Sequence, residues 1–256
     1  IIFWSRLPIM LLAVLFGWLL FAWTRRRFGD AAALLTLTFF AFSPTILAHS
    51  RFVTTDLGAA FGFFIGIASF IAFLEKPTRR TIIIAGILLG IAQLLKFSVV
   101  LLAPMYAVLI AGWIYALPNL YIRERLRATI SLITKTLVIG AIGILVIWIA
   151  YVPLVARYPA ERQLRDAEFL LGSYGFRPAV QFDLALIRTP VTRPLGQYIL
   201  GVLMVQQRSA GGNTAFFLGE VSGAGSRLYF PLMYLLKEPL ALHLLTLLAF
   251  LIGLSR

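Results

Sequence analysis

The stretch LGAAFGFFIGIASFIAFL, residues 57–74, is eighteen residues long and carries no charge. A helix needs about 17–25 mainly apolar residues to cross the hydrocarbon core of a bilayer. Comparable runs recur on both sides of this one. Seven apolar segments lie at 7–24, 31–48, 57–74, 81–95, 97–116, 130–153 and 239–254. The fourth and fifth are parted by little more than Lys96, so that pair is either a tight hairpin or a broken helix.

Composition points the same way. Of 256 residues, 61% are hydrophobic and 13% charged, and the mean hydropathy is +0.93. A soluble domain averages about 45–50% apolar and about 25% charged residues. Too few polar groups remain to coat a water-soluble globule, so the solvent for this surface is lipid. The expected fold is all-α: a polytopic transmembrane helix bundle with a long extracytoplasmic loop region containing interfacial helices. Residues 1–153 supply about six membrane helices, 154–238 the loop region and 239–256 a further, truncated membrane helix. The chain starts at Ile1 rather than a methionine and stops directly after an apolar run, as expected of a piece of a longer protein.

The net charge is +13, from 23 Lys+Arg against 10 Asp+Glu. These cations cluster at the ends of apolar runs, where topology and anionic lipid explain them better than nucleic acid does. There is no cysteine, which excludes disulfides and thiolate metal sites. Arg25-Arg26-Arg27, then Lys76 with Arg79 and Arg80, then Arg123, Arg125 and Arg127 follow the first, third and fifth segments. With one crossing per segment, all three clusters share a side, and the positive-inside rule makes that side cytoplasmic. The 49–56 connection, the Lys96 turn and the 154–238 stretch then face the opposite side.

The 154–238 stretch holds Arg157, Arg162, Arg165, Arg177, Arg188, Arg193, Arg208 and Arg227. Gly211-Gly212-Asn213, Gly219, Gly223 and Gly225 punctuate it as turns. Residues 160–171 and 195–205 have helical apolar spacing and read as amphipathic interfacial helices.

Three places carry residues suited to chemistry. In His49-Ser50-Arg51-Phe52-Val53-Thr54-Thr55-Asp56, the aspartate opens a helix. Thr54, Thr55 or Asp56 could simply cap it, with the acid favoured by the helix dipole. Equally, Asp56 is a carboxylate held at the bilayer edge to bind or deprotonate a substrate. Lys96 has no acid nearby in sequence. It is either a lysine snorkelling from a helix end or a point charge placed for an anionic head group, phosphate above all. Arg227-Leu228-Tyr229-Phe230-Pro231 precedes Lys237-Glu238-Pro239 at the mouth of the last segment. Lys237 and Glu238 could pair or cap the helix, and Tyr229 and Phe230 could be belt aromatics. His49 and His243 are the only histidines, and no metal-ligand spacing is present. His243 reads as a helix–helix hydrogen-bonding residue. No phosphate-binding loop, nucleophile elbow or dinucleotide fingerprint is found.

Taken in order, these motifs resemble the membrane glycosyltransferases of the GT-C class. The nearest likeness is to glycosyltransferase family 39, the protein mannosyltransferase-like group that includes the lipid A aminoarabinose transferases. Phe42-Ser43-Pro44, then Ala48-His49-Ser50-Arg51 and Thr54-Thr55-Asp56, is similar to the family's stretch leading to an aspartate. Gly86 and Gly90 followed by Leu94-Leu95-Lys96-Phe97 is similar to its glycine-bearing helix ending in lysine. Phe217-Leu218-Gly219-Glu220, Gly225, Tyr229-Phe230-Pro231 and Lys237-Glu238-Pro239-Leu240 complete the likeness, which runs from about residue 7 to about 245. The family's acidic motif, in the first outer loop, has no counterpart, and Ile1 is expected to begin after it.

The resemblance implies a polyprenyl-phosphate-linked sugar as donor and a protein or lipid hydroxyl or amine as acceptor. It makes Asp56 the catalytic candidate and His49, Arg51, Lys96, Arg227, Tyr229, Lys237 and Glu238 the substrate-binding candidates. Membrane lipid is the surrounding partner. No cofactor is required by this reading; whether a divalent metal takes part stays open, without support from the sequence. A lipid-linked substrate transporter or flippase, or a noncatalytic membrane subunit, is the competing class. Transporters place polar groups near the bilayer midplane, whereas here the charges lie at segment ends and in one long loop.

Overall fold

The computed structural model describes residues 2–117, 121–210, 214–223 and 225–254. In chain order the helices are α1 (Ile2–Phe28), α2 (Asp30–Phe42), α3 (Pro44–Arg51), α4 (Asp56–Glu75) and α5 (Arg79–Leu95). A 3-10 turn, Phe97–Leu101, leads into α6 (Leu102–Ala116) and α7 (Ile122–Ala156). There follow α8 (Ala160–Leu170), α9 (Arg177–Arg188) and α10 (Arg193–Ala210). A hairpin of β1 (Ala215–Phe217) and β2 (Glu220–Ser222) precedes α11 (Tyr229–Lys237) and α12 (Leu240–Leu254). The glycine-rich run at 211–213 lies outside the described residues. The all-α, polytopic expectation holds. Among the described residues, Trp4–Phe28, Asp56–Glu75, Phe97–Ala116 and Ile122–Ala156 are long and apolar enough to cross a membrane. Two bent pairs, Asp30–Phe42 with Pro44–Arg51 and Tyr229–Lys237 with Leu240–Gly253, raise the number to six if each is one span.

The chain forms two compact units, residues 1–58 with 212–256, and residues 59–211. The 154–238 stretch therefore does not form one body: α8, α9 and α10 belong to the second unit, the hairpin and α11 to the first.

In the first unit, Gly29 adopts φ +86° and turns the chain from α1 into α2. The Arg25 guanidinium reaches Asp30 across that turn. Phe16 and Phe40 pack edge to face at 4.9 Å. The segment expected as one helix at 31–48 is two, bent by 58°. Pro44 has no N–H and pushes Ser43 into an extended conformation, φ −63° and ψ 123°, so α2 ends there. The same proline starts α3, with the Ser43 hydroxyl accepting from Ile46 N–H at 3.3 Å.

In the second unit, α4 docks on α6. Tyr106 donates to the Gly66 carbonyl at 3.1 Å, and its ring stacks on the fully buried Phe70. The expected segment at 130–153 extends to 35 residues, about 52 Å, so α7 outruns a hydrocarbon core of about 30 Å. Its first turns carry Arg123, Arg125 and Arg127. The closest approach is between α5 and α7. A Cβ on Gly86 would meet Ile142 Cβ at 2.6 Å, and one on Gly90 would meet Val146 Cβ at 2.5 Å and the Gly143 carbonyl at 2.8 Å. Small residues four apart let two backbones touch, which in lipid replaces the missing hydrophobic drive for helix association.

A methyl at either glycine overpacks this seam. Gly86→Ala and Gly90→Ala are each expected to lower stability by about 1–3 kcal/mol. Gly112→Ala, where nothing lies within 4 Å of the added Cβ, is expected to be neutral or slightly stabilising. Thermal unfolding of the three proteins in one detergent checks this.

Candidate functional site

In the first unit, α3 ends in a short return, Phe52 to Thr55, that leads back to the start of α4. That return brings His49 and Asp56, seven residues apart, to the same place. His49 Nδ1 lies 3.4 Å from Asp56 Oδ2 and 3.2 Å from the Thr54 hydroxyl. The aspartate is half exposed and occupies the first turn of α4, where the helix dipole favours negative charge. With its proton on Nδ1, the imidazole points that N–H at the carboxylate, and Nε2 is left as an acceptor. Arg51 is exposed one turn end away, while the Arg6 guanidinium lies over the Phe52 ring at 5.7 Å.

The same unit brings the C-terminal motif to this region. The Thr45 hydroxyl donates to Glu238 Oε1 at 3.0 Å, which ties α3 to the corner between α11 and α12. That corner bends by 108° at Glu238-Pro239. His243 Nε2–H donates back to the Leu235 carbonyl at 3.3 Å and its ring meets Tyr234 edge on, so it braces the bend between two helices as the sequence suggests. Glu238 is half-buried and Lys237 exposed; no ion pair between them is seen among the described residues. Tyr229 is held between Phe217 of the hairpin and Phe230, while Arg227 is exposed.

In the second unit, Lys96 is half-buried and extended, φ −163° and ψ 137°, between α5 and the 3-10 turn. Two residues that sequence reasoning passed over hold this break. Gln93 Nε2–H donates to the Val99 carbonyl at 3.1 Å, and the Tyr198 hydroxyl donates to Gln93 Oε1 at 2.9 Å. Burial, and then the neighbouring Tyr151, push the Tyr198 hydroxyl upward, so it stays a donor. A polar side chain inside the apolar run 81–95 is a signal that pointed to Gln93; nothing local points to Tyr198, 105 residues away.

From this break an apolar groove of about 800 Å³ runs between α5, α6 and α7. Its lining includes Gln93, Val100 and Tyr198 at one limit and Ile114, Thr129 and Ile133 at the other. Along α7 it extends from Thr129 to Ile147, about 27 Å of helix and so about the depth of a hydrocarbon core. Thr136, on the groove wall, has a buried hydroxyl with no hydrogen-bond partner.

Three of the eight long-loop arginines hold the structure together. Arg193 donates to Gln163 and to the carbonyls of Val155 and Tyr158, clamping α10 to α8 and to the end of α7. Arg177 donates to the carbonyls of Leu171 and Gly172, and Arg162 pairs with Asp166 at 3.7 Å. Among the described residues, no three His, Asp or Glu side chains gather as metal ligands would.

A model of the dolichyl-phosphate-mannose-protein mannosyltransferase family matches residues 2–150. The chain belongs to this family. It is a multi-pass membrane glycosyltransferase of the GT-C type, as its helices and motifs suggest. The match to the mannosyltransferase family covers both the His49–Asp56 return and the Lys96 break. No curated protein and no solved structure matches the chain.

One carboxyl in the α8–α10 core was not foreseen. Asp183 is fully buried among Val180, Ile187 and Leu200, and neither of its oxygens has a partner. Burial lifts its pKa from 3.8 to about 7. The folded state then holds the proton more tightly than the unfolded chain. Its contribution is therefore greatest below about pH 4, falls as pH rises towards about 7 and is flat beyond, a loss on the order of 4 kcal/mol. Asp183→Asn should flatten this slope. Thermal unfolding of both proteins between pH 4.5 and pH 8 (roughly the span of the two pKa values) tests it: parallel curves would remove Asp183 from the linkage.

Proposed function

We propose that this chain transfers a sugar from a polyprenyl-phosphate donor to an acceptor hydroxyl or amine on a protein or lipid at the extracytoplasmic face. The observation that carries the reading is the groove. It is apolar, about as long as the bilayer core is deep, and reaches the break that carries Lys96. A prenyl chain is the ligand such a groove suits, and a phosphate is the head group a lysine at its limit suits. A donor already anchored in the membrane needs no soluble nucleotide-sugar pocket.

The chemistry follows from the groups available. The acceptor oxygen or nitrogen forms a bond to the anomeric carbon. The bond from that carbon to the phosphate oxygen breaks, and the lipid phosphate leaves with the electron pair. The Asp56 carboxylate takes the proton of the nucleophile, with His49 holding the carboxylate in place. The transition state has oxocarbenium character and gains from cations on the departing phosphate. Lys96 fills that role, with Arg51 and Arg227 as exposed cations for donor or acceptor. Tyr229, Lys237 and Glu238 complete the acceptor side. Counting one crossing per apolar segment, the positive-inside rule puts the 49–56 connection and the Lys96 turn each away from the basic clusters, which supports the extracytoplasmic assignment.

Membranes containing the full-length protein, supplied with a panel of radiolabelled polyprenyl-phosphate sugars, are expected to transfer label to protein or lipid. Asp56→Asn is expected to lower that transfer about a hundredfold or more. Full activity in the asparagine variant would take Asp56 out of the mechanism. Absence of transfer with every donor would remove the donor assignment.

A further inference from the structure

We infer that α10 is the strut that fixes Lys96 at the head of the groove, with Gly201 and Tyr198 as positioning residues. This rests on the reading of Lys96 as the phosphate-binding cation.

Lys96 belongs to neither helix beside it. Its backbone is extended, and its carbonyl accepts from Val99 N–H at 3.0 Å to start the 3-10 turn. The backbone at Lys96 fixes where its flexible stem begins, and so the region its ammonium can reach. The backbone here is held from α10 at three points. Phe97, the next residue, seats its ring against Gly201, where a Cβ would lie 2.3, 2.6 and 2.8 Å from three ring atoms. The ring therefore fills the space that any other residue at 201 would need. Phe97 also packs on Tyr198, with ring centroids 5.6 Å apart. Tyr198 in turn donates to Gln93, and Gln93 donates to Val99. The residues three before, one after and three after Lys96 are thus all referred to a single helix.

That helix is itself fixed. Arg193 ties its first turn to Gln163, to the Val155 carbonyl of α7 and to the Tyr158 carbonyl just beyond it. Just before it, the Val191 carbonyl accepts from Trp148 Nε1–H at 2.7 Å. Tyr151 meets Tyr198 edge on at 5.7 Å. The strut therefore runs from the outer end of α7 to the Lys96 break. Glycine in the middle of an 18-residue helix weakens that helix, and the Phe97 contact gives its presence a reason. A charge that must meet a phosphate gains from such support, because a shift of about 1 Å at a reacting group is costly.

The test uses the full-length protein in lipid nanodiscs and two probes, a long-chain polyprenyl phosphate and the matching uncharged polyprenol. The Kd for polyprenol divided by the Kd for polyprenyl phosphate isolates the phosphate. Lys96→Ala is expected to reduce this ratio by about 10-fold or more. Gly201→Ala, which lines no part of the groove, is expected to reduce it about 5-fold or more while leaving polyprenol binding unchanged. Phe97→Leu in the same chain, by shortening the ring, is expected to restore most of the loss. If Gly201→Ala does not fold, Tyr198→Phe decides by the same ratio. A normal ratio in the α10 variants beside a reduced one in Lys96→Ala overturns the strut and leaves the phosphate reading standing. Equal loss for both probes reduces α10 to a general packing role and also overturns it. An unchanged ratio in Lys96→Ala overturns the phosphate reading and the strut with it.

Discussion

In hydrocarbon every backbone N–H and C=O must find a partner inside the protein, because no water is present to supply one. That constraint makes the chain helical, and it makes each interruption of a helix costly. The interruption at Lys96 is tolerated because polar side chains cover it. Gln93 supplies a donor to the Val99 carbonyl, and Tyr198 satisfies the acceptor on the same amide. Without that pair, the Val99 carbonyl would lose the side-chain donor that covers it at the turn. The break is thus a built feature, and Lys96 lies in the chain between Gln93 and Val100, which both line the apolar groove.

The second unit shows how close packing and an open groove coexist. Gly86 and Gly90 let α5 press against α7 until backbone atoms touch. Further round α7, Gly140, Ala141 and Ile144 face the space towards Ala103, Ala107 and Ala111 of α6. Small residues here leave room instead of closing it. In the first unit, the return from α3 to α4 and the sharp corner after α11 serve a different end. They gather His49, Asp56, Thr45 and Glu238 from opposite ends of the chain. Membership of a GT-C transferase family gives both arrangements a common context.

Much of the fold is legible in the sequence, because apolar runs of bilayer length have few other uses. The misreadings have local physical causes. The run 31–48 is apolar across Ser43-Pro44, so hydropathy joined what proline geometry divides. Helix α9 was not foreseen because its buried stripe, Val180, Asp183 and Ile187, carries a carboxylate where an apolar residue is expected. Within the site, His49 and Asp56 could be seen together because seven residues separate them. Thr45 and Glu238 are 193 residues apart, and Gln93 and Tyr198 are 105 apart. Spacing along a chain says nothing about such pairs; only the packing of helices brings them into contact.

The account depends on the 49–56 return and the Lys96 break opening to the same aqueous side. None of the 256 residues is a cysteine, so a single cysteine placed among them is the only thiol of this stretch. Membrane-impermeant maleimide applied to intact cells carrying Ser50→Cys, Ser98→Cys or Lys76→Cys measures their sides directly. The account predicts labelling at positions 50 and 98 from outside, with position 76 labelled only after the membrane is opened. Labelling of 50 and 98 from opposite sides would contradict it.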